Sequence, residues 1–205
     1  VPVFSFEKLN DVNSQLGPQM KSTGEVLGIG KTIEEAMFKG LVSAGFKMCH
    51  PSERRPVGVY MTVNDQDKLD VLTIAKKLGD LGCTMYATKG TAKVITDLGF
   101  DCTVVDRLSA TDSVIKLMDE GKIDYVVYTG KTDMESINDF IRLHHHAILL
   151  GITVLTSLDT ANALADIIAS KFTEDNTELV DINALRTEKL KLNFTKMQSC
   201  GNDYI

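Results

Sequence analysis

The sequence predicts an α/β protein, built on a mostly parallel five-stranded sheet flanked by helices. From Val57 onward, five short apolar runs rich in β-branched and aromatic residues alternate with amphipathic helical stretches. Four of the five helical stretches open on Asp, which suits both N-capping and the positive end of the helix dipole. Short apolar strands separated by helices belong in a parallel sheet covered on both faces, where ligands bind beyond the carboxyl ends of the strands.

The elements follow in order. "VPVFSF" alternates like a strand, and "LGPQMKSTGEVLGIGKT" is dense in Gly, Ser, Thr and Pro, which predicts an ordered loop or set of turns. "KTIEEAMFKGLVSAGFKM" reads as a helix with Thr32 as N-cap, Glu34 and Glu35 in the first turn, and Ile33, Met37, Leu41 and Val42 on one face. "CHPSERRP", residues 49–56, breaks the pattern with two prolines and a charge cluster, and a domain boundary is expected there. The five strands are "VGVYMTV", "CTMYAT", "CTVVD", "IDYVVYT" and "ITVLTS", with helices starting near Asp67, Thr91, Asp112, Asp133 and Asp159. The rhythm ends near Thr177, so the expected units are 1–48, a linker 49–56, the sheet domain 57–176, and a linker and tail 177–205.

With 205 residues, 43% of them hydrophobic, the chain can bury one substantial core and a smaller companion. A net charge of −6 argues against a nucleic-acid or anionic-membrane surface spread over the whole chain, so any anion site must be local. Cys49, Cys83, Cys102 and Cys200 form no C-x-x-C pair, which predicts reduced thiols and a cytoplasmic protein. No apolar run is long enough to span a bilayer, and no membrane partner is expected. The chain lacks a starting methionine and stops at "CGNDYI" as a new strand begins, so it reads as a piece of something longer.

The joint in "YATKGTAKVI" is where chemistry is expected. Exposed amides at a helix start, and a Gly able to take positive φ, make an anion cradle; Thr88, Lys89, Gly90 and Thr91 supply it, with two hydroxyls and an ammonium as added donors. Taken alone, T-K-G-T also fits a tight β-to-α turn with a capping Thr. Convergence favours the anion: Asn64, Asp65 and Lys68 follow the first strand, Arg107 the third, and Thr129, Lys131 and Thr132 the fourth. Lys68, Lys89, Arg107 and Lys131 together predict a basic pocket for a small phosphorylated ligand. His144, His145 and His146 are consecutive on a helix, point about 100° apart and cannot converge on one metal ion; Arg142 on that helix is the better functional candidate. "GIGKT" fails the full P-loop pattern because residue 25 is Glu, and "GEVLGIG" lacks the dinucleotide-fold order, so both read as turns.

Over residues 1–175 the sequence resembles the carbamoyl phosphate synthetase large subunit. "LGPQMKSTGEVLGIGKTIEEAMFKGLVSAG" resembles the closing segment of its second ATP-grasp unit, and the five-pair region resembles its regulatory domain, which has the methylglyoxal synthase-like fold. The resemblance implies a small α+β remnant of an ATP-grasp domain at 1–48 ahead of the regulatory domain. In that family the threonines of an A-T-x-G-T-A loop grip the phosphate of a regulatory nucleotide, which picks out Thr88 and Thr91 with Lys89 and Gly90 between them. Lys68 matches a basic ligand after the first strand, Arg107 falls where the family often has Lys, and Thr129 matches the threonine of an Asn-Thr pair. Tyr128 replaces that Asn, and Gln19 stands where the family usually has Glu.

The family is an ATP-dependent ligase that makes carbamoyl phosphate from bicarbonate, glutamine-derived ammonia and ATP, for pyrimidine and arginine synthesis. The resemblance implies that this portion has no cofactor of its own and is catalytically inactive alone, while the full enzyme uses ATP with Mg2+ or Mn2+, a glutaminase small subunit and an oligomeric assembly. UMP, phosphoribosyl pyrophosphate, IMP or ornithine are the effectors it implies. The alternative function is a methylglyoxal synthase-type lyase acting on dihydroxyacetone phosphate; the third joint, "DRLSATDS", lacks the Gly-Gly-Asp arrangement that supplies the lyase's base. Finally, "FTKMQSCGNDYI" resembles the opening strand of diaminopimelate epimerase, which would give Asn202 a substrate contact and leaves Cys200 without a catalytic part.

Overall fold

In the computed structural model, residues 1–5, 18–51, 55–130 and 133–183 are described, with the backbone of 197–199 and 202–204. Two short strands come first, β1 (Pro2–Val3) and β2 (Gly24–Glu25), paired antiparallel. Helix α1 (Ile33–Ser43) follows, and Thr32 caps it, its Oγ1 accepting the Glu35 N–H at 3.2 Å. The buried face is not the expected one: Glu35, Phe38 and Gly40 are buried, while Ile33 is 73% exposed. Backbone contact decides this. A Cβ on Gly28 would lie 2.0 Å from the Ala36 carbonyl oxygen, and one on Gly30 would lie 2.6 Å from the Ala36 nitrogen, so the GIG turn lies directly on α1. Close packing accounts for these glycines without a phosphate.

The main sheet contains β3 (Gly58–Val63), β4 (Thr84–Ala87), β5 (Cys102–Val104), β6 (Tyr125–Thr129) and β7 (Thr153–Leu155). All four strand pairings are parallel, in the order β5-β4-β3-β6-β7. Alternation along β3 divides two cores. Val59, Met61 and Val63 pack with Ile74 of α2 (Val71–Asp80), Ile95 of α3 (Lys89–Asp97) and Ile168 of α6 (Leu158–Ser170). Tyr60 packs on the opposite face with Val114 and Met118 of α4 (Ser113–Asp119) and Leu143 of α5 (Met134–Leu150). Helix α1 adds to the first face by packing on α6.

Strand order locates the crevice. The chain leaves β3 toward β4 and β5 at one edge, then returns to β6 on the other side of β3. Connections from β3 and β6 therefore part at their carboxyl ends, which is where an open α/β sheet binds ligands.

Helix starts differ from expectation in three places. Residues Asp65–Asp67 form a short 3-10 turn, so α2 begins at Val71; α3 begins at Lys89, with Thr88 in the N-cap position, and not at Thr91; and α6 follows Ser157 instead of Asp159. Asp112 and Asp133 are N-caps as expected, and of these Asp133 accepts a first-turn amide, that of Ser136 at 2.9 Å.

The expected 49–56 boundary lies against the sheet where it is described: Met48 and Cys49 pack on the core, the Cys49 N–H donates to the Tyr125 hydroxyl at 2.7 Å, and Arg55 pairs with Asp124 at 2.9 Å. At the carboxyl end β8 (Met197–Ser199) pairs antiparallel with β9 (Asn202–Tyr204), so the epimerase-like stretch holds two short strands; Cys200 and most of the expected linker fall outside the described residues. No described helix is long and apolar enough to cross a membrane.

Candidate functional site

A cavity of about 710 Å³ opens at the carboxyl ends of β3, β4 and β6. Lys68, Thr88, Lys89, Gly90, Thr91, Arg107 and Thr129 all line it, as do Asn64 and Asp65. Lys131 and Thr132 lie outside the described residues.

Its floor is the first turn of α3. Thr88 takes the N-cap position with extended backbone, yet its side chain makes no capping bond. The hydroxyl donates instead to Thr62 Oγ1 at 3.3 Å and stands 3.5 Å from Thr91 Oγ1. Without a side-chain cap, the first-turn amides keep their donor capacity and the positive end of the dipole is not offset. The two threonines face each other but show little surface, Thr88 being 8% and Thr91 1% exposed. Thr91 Oγ1 also accepts the Val63 N–H at 3.3 Å, so this hydroxyl fastens α3 to β3.

The loop after β3 forms one wall. Thr129 Oγ1 donates to Asp67 Oδ2 at 2.5 Å and accepts the Asn64 N–H at 3.1 Å, which pins the loop to the end of β6. Both the proton and an acceptor site of that hydroxyl are engaged, so Thr129 holds the loop more directly than it offers a donor to the cavity. Lys68 pairs with Asp65 and leans over Gly90. Gly90 has no positive φ, contrary to the expectation from sequence; its bareness matters for space.

The charge lining departs from a purely basic pocket. Lys68, Lys89, Lys93 and Arg107 share the cavity lining with Asp65, Asp106, Glu135 and Asp139. Cations gather where α3 and the segment after β5 begin, whereas Glu135 and Asp139 sit on α5. Tyr60 and Tyr128 line the cavity as well. Burial pushes the Tyr60 phenol up, with the neighbouring Tyr128 and Asp139 adding to the shift and Arg107 opposing it. Burial likewise raises Tyr128 to about 12, so both stay neutral donors at physiological pH. The Tyr128 hydroxyl donates to the Ser136 carbonyl at 2.8 Å, and its ring blocks any Cβ at Gly130.

Sequence reasoning missed Tyr60, Lys93, Asp106, Glu135 and Asp139. Lys93 was recoverable, standing one helical turn beyond Lys89; Glu135 and Asp139 share one face of a helix by their spacing of four. Arg142 does not reach the cavity: it pairs with Asp112 at 2.9 Å, tying α5 to the start of α4. The histidines diverge, His144 stacking on Phe140 with centroids 5.3 Å apart and His146 bonding Asp119 at 2.8 Å. Among the described residues no three His, Cys, Asp or Glu side chains gather for a metal.

Residues 70–156 match the family described as MGS-like domain, a span that runs from the start of α2 through β7 and so contains α3 and its first turn. Among solved structures the chain is similar to the methylglyoxal synthase of Elizabethkingia anophelis NUHP1, at 21% identity and a TM-score of 0.43 over 66% of this chain and 93% of that one.

Proposed function

We propose that the chain is the effector-binding regulatory portion of a carbamoyl phosphate synthetase large subunit, and that its cavity takes the phosphate of a small nucleotide. The observation that carries this reading is the α3 start: a helix N-terminus without a side-chain cap, with Lys68, Lys89, Lys93 and Arg107 around the cavity it opens into. The MGS-like match and the amino-terminal G-P-x-M-K-S-T-G-E-V string support it from sequence. On the α5 wall, Glu135 and Asp139 offer acceptors suited to ribose hydroxyls and would repel a second distal phosphate. That favours UMP or IMP over phosphoribosyl pyrophosphate. In the full enzyme this portion would act with an upstream ATP- and Mg2+- or Mn2+-dependent unit and a glutaminase subunit, coupling effector to synthesis by about 1–3 kcal/mol.

Calorimetric titration with UMP, IMP and phosphoribosyl pyrophosphate tests it. Micromolar to millimolar binding of a monophosphate is expected, weakened on Lys89→Met; silence with all three ligands would defeat the reading.

A lyase acting on dihydroxyacetone phosphate is the second reading, favoured by the presence of Asp106 beside Arg107 in the cavity lining. Such an enzyme needs a carboxylate base aimed at the carbon next to the carbonyl. A colorimetric assay for methylglyoxal separates the two, and no product above background is expected.

A further inference from the structure

We propose that Gly90 is a positioning residue for Lys68: it is bare so that the Lys68 ammonium can lie over the first turn of α3 and add its charge to the anion site. This rests on the effector reading above. A Cβ built on Gly90 would come 2.9 Å from Lys68 Nζ and 3.4 Å from its Cε, and among the described residues beyond its own helix it would meet no other atom within 4 Å. Backbone conformation does not call for glycine, since Gly90 lies in the first turn of α3 and has no positive φ. Glycine loses more backbone entropy than alanine on entering helical conformation, so one placed where alanine would suit the backbone needs another reason. Among the described residues beyond its own helix, the atoms a methyl group would press on belong to Lys68.

Lys68 is brought there by the loop it ends. Thr129 pins that loop through Asp67 and the Asn64 amide, while the Lys68 ammonium, 26% exposed along its side chain, is held by Asp65 at the cavity wall. A methyl on Gly90 meets only the end of this flexible side chain, so it would displace the ammonium without disturbing the backbone beneath.

Four proteins test this: the unaltered chain, Gly90→Ala, Lys68→Met and the double variant, each titrated with UMP and with inorganic phosphate and each melted thermally. Gly90→Ala is expected to melt at or above the unaltered protein, because alanine favours the helix, yet to bind UMP at least about tenfold more weakly, as loss of a charged hydrogen bond would predict. Lys68→Met should weaken binding to a similar degree, and the double variant should bind no worse than Lys68→Met. Additive losses would overturn the proposal, because the methyl group would then obstruct the anion directly. Unchanged affinity in Gly90→Ala, or a clearly lower melting temperature, would overturn it too. Failure of the unaltered protein to bind either probe would instead bring down the effector reading, and this inference with it.

Discussion

Thr91 illustrates how a residue chosen for a ligand can carry structure as well. Its hydroxyl is the acceptor for the buried Val63 N–H, and the side chain is almost entirely enclosed. Thr91→Val keeps the shape but strands that amide, and should destabilise the fold by about 1–3 kcal/mol in urea unfolding. His144 makes a pH-dependent contribution. Burial lowers its pKa from 6.5 to about 4, with neighbouring His145 assisting. The unfolded chain binds this proton more readily than the folded one, so the effect is absent above about pH 6.5 and destabilises progressively as pH falls toward 4. His144→Gln should therefore lose less stability over that window than the unaltered protein, compared by urea midpoints at both pH values. Gln19, which the sequence resemblance sets where Glu is usual, is exposed, and nothing in the structure explains the substitution.

At the scale of elements, β3 meets the entry to β6 through a backbone approach that tolerates no side chain. A Cβ on Gly58 would fall 1.7 Å from the Lys122 carbonyl oxygen, where the chain enters β6. Gly58→Ala must push the two central strands apart and should cost at least about 2 kcal/mol, measured by denaturant unfolding. The loop after β3 depends on one hydroxyl in a similar way. Thr129→Val removes both the donor to Asp67 and the acceptor for Asn64, so amide exchange at Asn64 should accelerate by about tenfold or more, while exchange in β6 changes little. Element type was legible from the period of the apolar residues. Helix starts were less so, because an Asp can serve another partner: Asp67 accepts the Thr129 hydroxyl, and α2 begins only at Val71.

Across the whole molecule, Lys39 joins three segments. Its ammonium donates to the Ile29 carbonyl at 3.0 Å, to Glu35 at 2.7 Å and to the Glu178 carbonyl at 2.6 Å, binding the GIG turn, α1 and the segment after α6 together. Hydrogen bonds from Lys39 and from the Lys31 amide also hold the Glu35 carboxyl below its ordinary range. A depressed carboxylate stabilises above its unfolded pKa and loses that contribution as pH falls through the folded value. Lys39→Met should lower stability by about 1–3 kcal/mol near neutral pH and render the acid limb less steep, seen by thermal unfolding across pH.

By itself the sequence determined five strand and helix pairs, and with them a parallel sheet with its binding edge at the carboxyl ends, because hydrophobic period and residue type act locally. It also singled out seven of the residues that line the cavity, since each stands at or beyond the carboxyl end of a strand. Strand order, the acidic α5 wall, the buried state of Thr91 and the seat that Gly90 leaves for Lys68 were decided only in three dimensions. Those features depend on which joints become neighbours, and contacts between residues far apart in the chain leave no period to read.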